Sequence, residues 1–367
     1  MSNEVPQEVI SAFEQYTPDL PDHSAGKIDV KSIGHGLIHH SYKIECELKT
    51  SFLLQKINTT VFPKPEEVQE NLIHISAYAE FEFTGLRMPY PKYYSNTGSL
   101  YKDRKGNYWR AFEFIEDSFS VNIPQSPTQA RATAKAFAKF TTAFIDFNID
   151  LLHIIIPDFH NLSFRYKQFE DALNGAYYER MPKALPLAEE LKKRQRYKHF
   201  YEIITESPDD FPQRLMHHDA KVSNALFSSN TSKVICLVDF ETVMPGYFFS
   251  DIGDMIRSMA CSQDESSTGF DKLKIRKSYY DAILGGYLSS MKKYLTEAEK
   301  KHIHYAGIMM IYMQALRFIT DYLNGDVYYN IKYPEQNYDR AKNQFILLQQ
   351  LENFLETNYN VSLLLEK

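Results

Sequence analysis

Between residues 41 and 48 the chain reads SYKIECEL, with Tyr42, Ile44, Cys46 and Leu48 on one face and Ser41, Lys43, Glu45 and Glu47 on the other. Alternation with period two marks a strand buried on one side. Lys49-Thr50 turns the chain into a second strand, SFLLQKI, and Gly34-His35-Gly36 makes a flexible entry to the pair. The period then changes. In PKPEEVQENLIHISAYAEF, Val68, Leu72, Ile75 and Ala79 recur at helical spacing, with Pro65 near the start. Two more strands, around Ser99 to Lys102 and Tyr108 to Ile115, flank the turn Asp103-Arg104-Lys105-Gly106-Asn107. Residues 1–115 thus read as strand–strand–helix–strand–strand, a small α+β unit.

Beyond residue 125 helical patterns dominate. Ser126-Pro127 opens a helix with Phe137, Phe140, Phe144 and Phe147 on one stripe. Thr296 and Glu299 form a capping-box pattern ahead of the long apolar run HIHYAGIMMIYMQALRFITDYL. Two segments break the helical character, RLMHHDAKVSNALF at 214–227 and the strand VICLVDFE at 234–241. The pattern predicts two domains, 1–115 and a larger, mostly helical 116–367.

Composition narrows the functional classes. The net charge is −6 and no Lys/Arg block stands out, which argues against nucleic acid as a partner. The longest apolar stretches, such as 151–157, are far too short for a membrane span. The N-terminus lacks the basic start and apolar core of a signal peptide, so a cytoplasmic, reducing compartment is expected. Cys46, Cys236 and Cys261 are widely spread and fit no metal spacing, and are expected to be buried free thiols.

The segment RLMHHDAKVSNALF concentrates Asp219, Lys221 and Asn224 between apolar flanks. A buried carboxylate, ammonium and amide are costly unless each has a partner, so they satisfy one another or face a ligand. Asp239 follows at the end of an apolar strand. An amide oxygen from Asn224 and a carboxylate from Asp239 suit Mg²⁺, a hard cation that keeps waters and holds phosphates. Asp219 is placed to accept a hydroxyl proton, and Lys221 to reach a transferring phosphoryl group. His217 is expected to fix the loop and His218 to face solvent. Asp251, with Ser250 as the alternative, is expected to cap a helix and support the metal loop. Glu241 is read as either an orienter of the metal ligands or a further ligand.

His217-x-Asp219-x-Lys221-x-x-Asn224, followed by Asp239-Phe240, resembles the catalytic and metal loops of protein kinases. Glu241 stands where protein kinases have Gly, and no A-P-E segment follows. The resemblance is therefore to the aminoglycoside phosphotransferase and choline kinase superfamily. It extends to WRAFEFIED, PEEVQENLIHI and FFSDIGDMIRS, and covers most of the chain. Within it, HHDAKVSNALF, VDFETVMPG, SDIGDMIR and ALRFITDYLNGDVYY are most similar to the N-acetylhexosamine 1-kinases.

This resemblance implies a bilobal protein-kinase-like α+β fold, with ATP and Mg²⁺ as cofactors. Glu113 and Ile115 fall in the segment whose backbone would hold adenine, and Gly34 and Gly36 in a phosphate-covering loop. The strand position usually held by Lys or Arg aligns with Gln55, and Lys56 points away. A one-residue bulge would exchange the two, and Glu70 is a candidate helix partner. The implied acceptor is a sugar, the anomeric hydroxyl of N-acetylglucosamine or N-acetylgalactosamine. Arg317, Asp321, Asp326 and Tyr328 are read as a sugar platform, or alternatively as a helix end held by salt bridges. The rival readings are a kinase of choline, an amino alcohol or an aminoglycoside, and a pseudokinase-like module that binds nucleotide without transfer.

Overall fold

The computed structural model describes residues 6–19, 28–33, 39–46, 51–82, 86–94, 98–175, 177, 179–231 and 233–361. Along the chain run α1 (Gln7–Phe13), β1 (Ile28–Ser32), β2 (His40–Cys46), β3 (Ser51–Lys56), α2 (Pro65–Glu82), β4 (Leu100–Lys102), β5 (Tyr108–Glu113) and β6 (Ser118–Phe119). There follow α3 (Pro127–Ala143), α4 (Leu162–Gly175), α5 (Met181–Lys192), α6 (Arg196–Glu206), β7 (Arg214–Met216), β8 (Ala225–Ser228), β9 (Val234–Leu237) and β10 (Met244–Gly246). The last elements are α7 (Phe249–Met255), α8 (Lys277–Met291), α9 (Glu297–Lys301), α10 (Tyr305–Leu323) and α11 (Gln336–Tyr359). The fold is mixed α+β, as expected, and divides into two compact units. One comprises Met1–Phe119, Asn148–Ile155 and Leu226–Glu241; the other comprises Ser120–Phe147, Ile156–Ala225 and Thr242–Lys367.

The first unit is built on an antiparallel sheet of order β1-β2-β3-β5-β4. The strands and helix expected from periodicity are present, and α1 and β1 precede them. Neither carries a strong sequence signal: α1 has seven residues and no side-chain cap, and β1 is only partly buried. One sheet face is apolar, with Ile44, Leu54, Trp109 and Ala111 packed beneath Val9, Ala12, Phe13 and Tyr16. Burial on that face sets the strand register, because a one-residue slip would expose every one of these side chains. A second sheet, β6-β8-β9, belongs to the same unit.

The second unit is helical around α10, which is buried on nearly all sides. Such a helix belongs at the centre of a core, and only Gln314, Arg317 and Thr320 on one side of it are partly exposed. The Thr296/Glu299 capping box forms as expected, but it opens the short α9. The expected single run is broken, and α10 starts separately at Tyr305. Glu299 is committed elsewhere: its fully buried carboxylate accepts two bonds from Arg214 of β7, at 2.6 and 3.0 Å. The Ser126-capped helix ends at Ala143, so Phe144 terminates it and Phe147 lies beyond, both still buried. All three cysteines are buried and free. Among the described residues no helix is long and apolar enough to cross a membrane.

Candidate functional site

In the second unit, β7 pairs antiparallel with β10, and the chain leaves it through His217 and His218. Both residues donate their backbone N–H groups to the Asp251 carboxylate, at 3.0 and 2.8 Å. Asp251 lies in the first turn of α7 but does not cap it, and neither does Ser250. This corrects the capping expectation: the carboxylate is spent on the loop. Burial drives the Asp251 carboxyl up to about 7, against the two N–H donors that favour its charged form.

His217 is fully buried, edge-on to Phe137, and its carbonyl accepts from the Thr242 hydroxyl at 2.7 Å. His218, expected at the surface, is also buried. Its backbone is left-handed, with φ of 64°. That conformation turns the ring inward, where Nδ1 meets Nδ1 of His160 at 3.1 Å. Burial holds the His218 imidazole down at about 4.

Beyond this clamp the polar residues satisfy one another. Lys221 donates to Oδ2 of Asp219 at 2.8 Å. The Asn224 amide nitrogen donates to the same oxygen and to the Asp219 carbonyl, both at 2.9 Å. Two donors thus converge on Oδ2, and among the described residues nothing engages Oδ1. The Asp219 carboxylate is held in one orientation with an oxygen left to accept a proton.

Asp219 and Lys221 line a cavity of about 330 Å³. Its other walls include Arg257, Glu265, Arg317 and Tyr329. Arg257 comes from a π-helical turn, Ile256–Ala260, that continues α7. It is bonded to Asp254 at 2.8 Å and to Glu265 at 2.6 Å, and Glu265 also accepts from Arg340. Burial pushes the Asp254 carboxyl up, and the nearby Asp219 charge adds to the effect. Arg317 lies about equally far from the Phe159, Tyr328 and Tyr329 rings, 5.5 to 5.8 Å from their centroids, and donates to Gln314. Of the expected platform, only Arg317 lines the cavity. Asp321 is buried and accepts from the backbone N–H groups of Tyr328 and Tyr329 and from Asn337. Asp326 pairs with Arg180 at 2.5 Å, and Tyr328 is 64% exposed. Arg257 closes the quoted motif SDIGDMIR but was given no role, and Glu265 and Arg340 carried no recognisable pattern of their own in the sequence. They come from three separate segments that only packing unites.

In the first unit, Gln55 and Lys56 lie on opposite sheet faces. Gln55 donates to Ser41 at 3.1 Å and accepts from Arg110 at 3.0 Å. Lys56 pairs with Glu8 of α1 at 3.1 Å, near the Trp109 ring. Glu70 is bonded to His153 at 2.7 Å, so it partners neither residue. Asp239 follows β9 with a left-handed φ of 71°, and its charge acts on Arg110 and His39. Glu113 is exposed at the end of β5, and the Ile115 carbonyl accepts from Ser118 at 2.5 Å. Gly34 and Gly36 lie outside the described residues.

No group of three or more His, Cys, Asp or Glu side chains gathers into a metal cage among the described residues. Mg²⁺ rarely needs one, since it keeps several waters and uses one or two protein carboxylates together with phosphates. The donors present fit that habit. Asn224 spends its amide nitrogen on Asp219, which leaves the amide oxygen turned away from it. In the first unit, Glu241 keeps Oε2 buried without a hydrogen-bond partner.

A five-stranded antiparallel sheet with its helices, and a helical unit holding an Asp-Lys-Asn loop, define a kinase-like phosphotransferase. The profile of the phosphotransferase enzyme family matches residues 29–288, and the chain belongs to that family. Solved structures share the fold. An aminoglycoside phosphotransferase from Alicyclobacillus acidocaldarius aligns with a TM-score of 0.59 at 14% identity, over 97% of this chain and 98% of that one. The choline kinase of Cryptosporidium parvum aligns at 0.57 and 14%, over 96% and 97%. An amicoumacin kinase bound to AMP-PNP and Ca²⁺ aligns at 0.54 and 11%, over 93% and 96%.

Proposed function

We propose that this protein is an ATP- and Mg²⁺-dependent kinase that phosphorylates a neutral sugar, an N-acetylhexosamine, on its anomeric hydroxyl. Asp219 accepts the hydroxyl proton at Oδ1 as the sugar oxygen bonds to the γ-phosphorus and the bond to the β-phosphate oxygen breaks, releasing ADP. Lys221 offsets charge developing on the transferred group. Asn224 and Asp239 would hold Mg²⁺, which neutralises phosphate charge when bound. The amicoumacin kinase of the same fold, solved with AMP-PNP and Ca²⁺, supports a nucleotide with a divalent cation. Positioning and electrostatics carry most of such a reaction.

One observation carries the choice of acceptor. The cavity beside Asp219 is lined by four basic side chains (Lys221, Arg257, Arg317 and Arg340) against three acidic ones (Asp219, Asp264 and Glu265). Choline, amino alcohols and aminoglycosides are cations and would meet no excess of negative charge there. A neutral polyol meets paired charges and the Gln263, Gln314 and Gln344 amides, which supply donors and acceptors. The similarity to N-acetylhexosamine 1-kinase motifs points the same way.

The experiment is ATP consumption by the purified protein with Mg²⁺ and a panel of acceptors. N-acetylglucosamine or N-acetylgalactosamine should be consumed, with ³¹P NMR showing the anomeric phosphate. Their methyl glycosides, blocked at that oxygen, should be inert. Turnover of choline or an aminoglycoside without sugar turnover would overturn the acceptor assignment. ADP binding without turnover of any acceptor would favour the pseudokinase-like reading.

A further inference from the structure

On β5, Arg110 is 3% exposed and makes two hydrogen bonds from its guanidinium. Nε donates to Gln55 on the neighbouring strand at 3.0 Å. Nη2 donates to the carboxylate of Glu241, two residues beyond Asp239. His39 approaches the same Glu241 oxygen at 3.3 Å. Lys56, the cation of β3, faces α1 and cannot take this part. A guanidinium this deeply buried is costly unless paired, and removing one partner leaves the other charge stranded. The pair therefore ties the segment after β9 to the sheet at one defined place.

We propose that Arg110 is a positioning residue for the divalent cation. By clamping Glu241 to β5 it holds Asp239 in the left-handed conformation that presents its carboxylate, and it leaves Glu241 Oε2 open to the cation or its water shell. Kinases commonly fix their phosphate site with a lysine from the third strand and a helix glutamate. Here an arginine from β5 and a glutamate from the metal-bearing loop make the corresponding pair. Burial holds the Arg110 guanidinium down at about 10, with the Asp239 charge opposing, so it stays cationic at neutral pH. The inference rests on the kinase reading of the same site.

The test is calorimetric ADP binding to the full chain, with and without MgCl₂, beside a melting curve for each variant. The parent should bind ADP more tightly with Mg²⁺. Arg110→Met should reduce that Mg²⁺ enhancement about ten-fold, while ADP affinity without Mg²⁺ stays within about two-fold. Arg110→Lys should recover part of it, since an ammonium reaches Glu241 but cannot also hold Gln55. If Arg110→Met does not fold, Arg110→Met/Glu241→Met leaves no stranded charge and should show the same loss. A folded variant with the parent's Mg²⁺ enhancement, even at a lowered melting temperature, would overturn the proposal. A parent that binds no ADP under either condition would instead remove the kinase reading itself.

Discussion

Asp219, the proposed proton acceptor, is oriented by its neighbours. Lys221 and Asn224 orient it through Oδ2, so replacing it with Asn keeps the shape and removes the proton acceptor. General-base participation is worth about 10²–10⁴-fold, and Asp219→Asn should lose turnover on that scale while ADP affinity stays within a few-fold. Single-turnover kinetics beside ADP titration separates the two. His218 carries a different consequence. Unfolded, its imidazole takes a proton near pH 6.5; folded, burial delays that to about 4. The unfolded state binds more protons in that window, so stability is lost as pH falls from about 6.5 towards about 4, by at most roughly 3 kcal/mol. His218→Asn, which tolerates a left-handed backbone, should lessen the drop in denaturation midpoint between pH 7 and pH 5. An unchanged drop would show that His218 is not the titrating group. His39, held at about 3 by burial and the Arg110 charge, contributes in the same direction and remains.

At the scale of elements, the α7 segment decides most of the site. One stretch supplies Asp251 to the loop at His217 and His218, and Arg257, paired with Asp254, to the cavity wall. Its placement depends on a close helix crossing. A Cβ at Gly253 would stand 2.4 Å from the Ala306 carbonyl oxygen of α10, so the two backbones touch there. Gly253→Ala must push α7 outward, and overpacking of this kind costs about 1–3 kcal/mol. The expected result is a lower denaturation midpoint together with reduced turnover, because Asp251 moves with the helix. A full-rate Gly253→Ala enzyme would mean that the Asp251 clamp tolerates the shift. The motif SDIGDMIR was visible in the sequence, but its first aspartate was read as a helix cap that supports the metal loop. A residue facing inward in the first turn can serve a neighbouring loop instead, and only the packing direction distinguishes the two.

For the whole molecule the question is what enters the cavity. Its lining carries four basic and three acidic side chains, and a site built around hydrogen bonds rejects analogues that leave its own polar groups unpaired. Arg317, among three aromatic rings and lining the cavity, is the residue proposed to contact the acceptor. Arg317→Ala should raise the KM for the N-acetylhexosamine about ten-fold or more and leave the KM for ATP within about two-fold. Equal effects on both constants would assign Arg317 to the fold of the second unit and not to the acceptor.

What the sequence by itself determined is local in character. Alternation over 41–46 and in SFLLQKI, helical spacing in PEEVQENLIHI, and the Ser126 and Thr296 caps depend on neighbouring residues, and they reappear in the structure, while residues 47–50, with the expected Lys49-Thr50 turn, lie outside the described residues. Strand parity also separated Gln55 from Lys56, since opposite faces follow from a two-residue period. The Asp219, Lys221 and Asn224 cluster was legible because its members lie within six residues and bond to one another. Partnerships across long stretches of chain were not legible. Arg110 with Glu241, Arg214 with Glu299, and Glu265 between Arg257 and Arg340 leave no periodic trace. The burial of His218 was missed for the same reason, and Asp251, expected to support a loop, was assigned to the metal loop and to a cap where it holds the backbone of His217 and His218. A buried charge selects its partner by direction and desolvation in three dimensions, and those quantities exist only once the chain has packed.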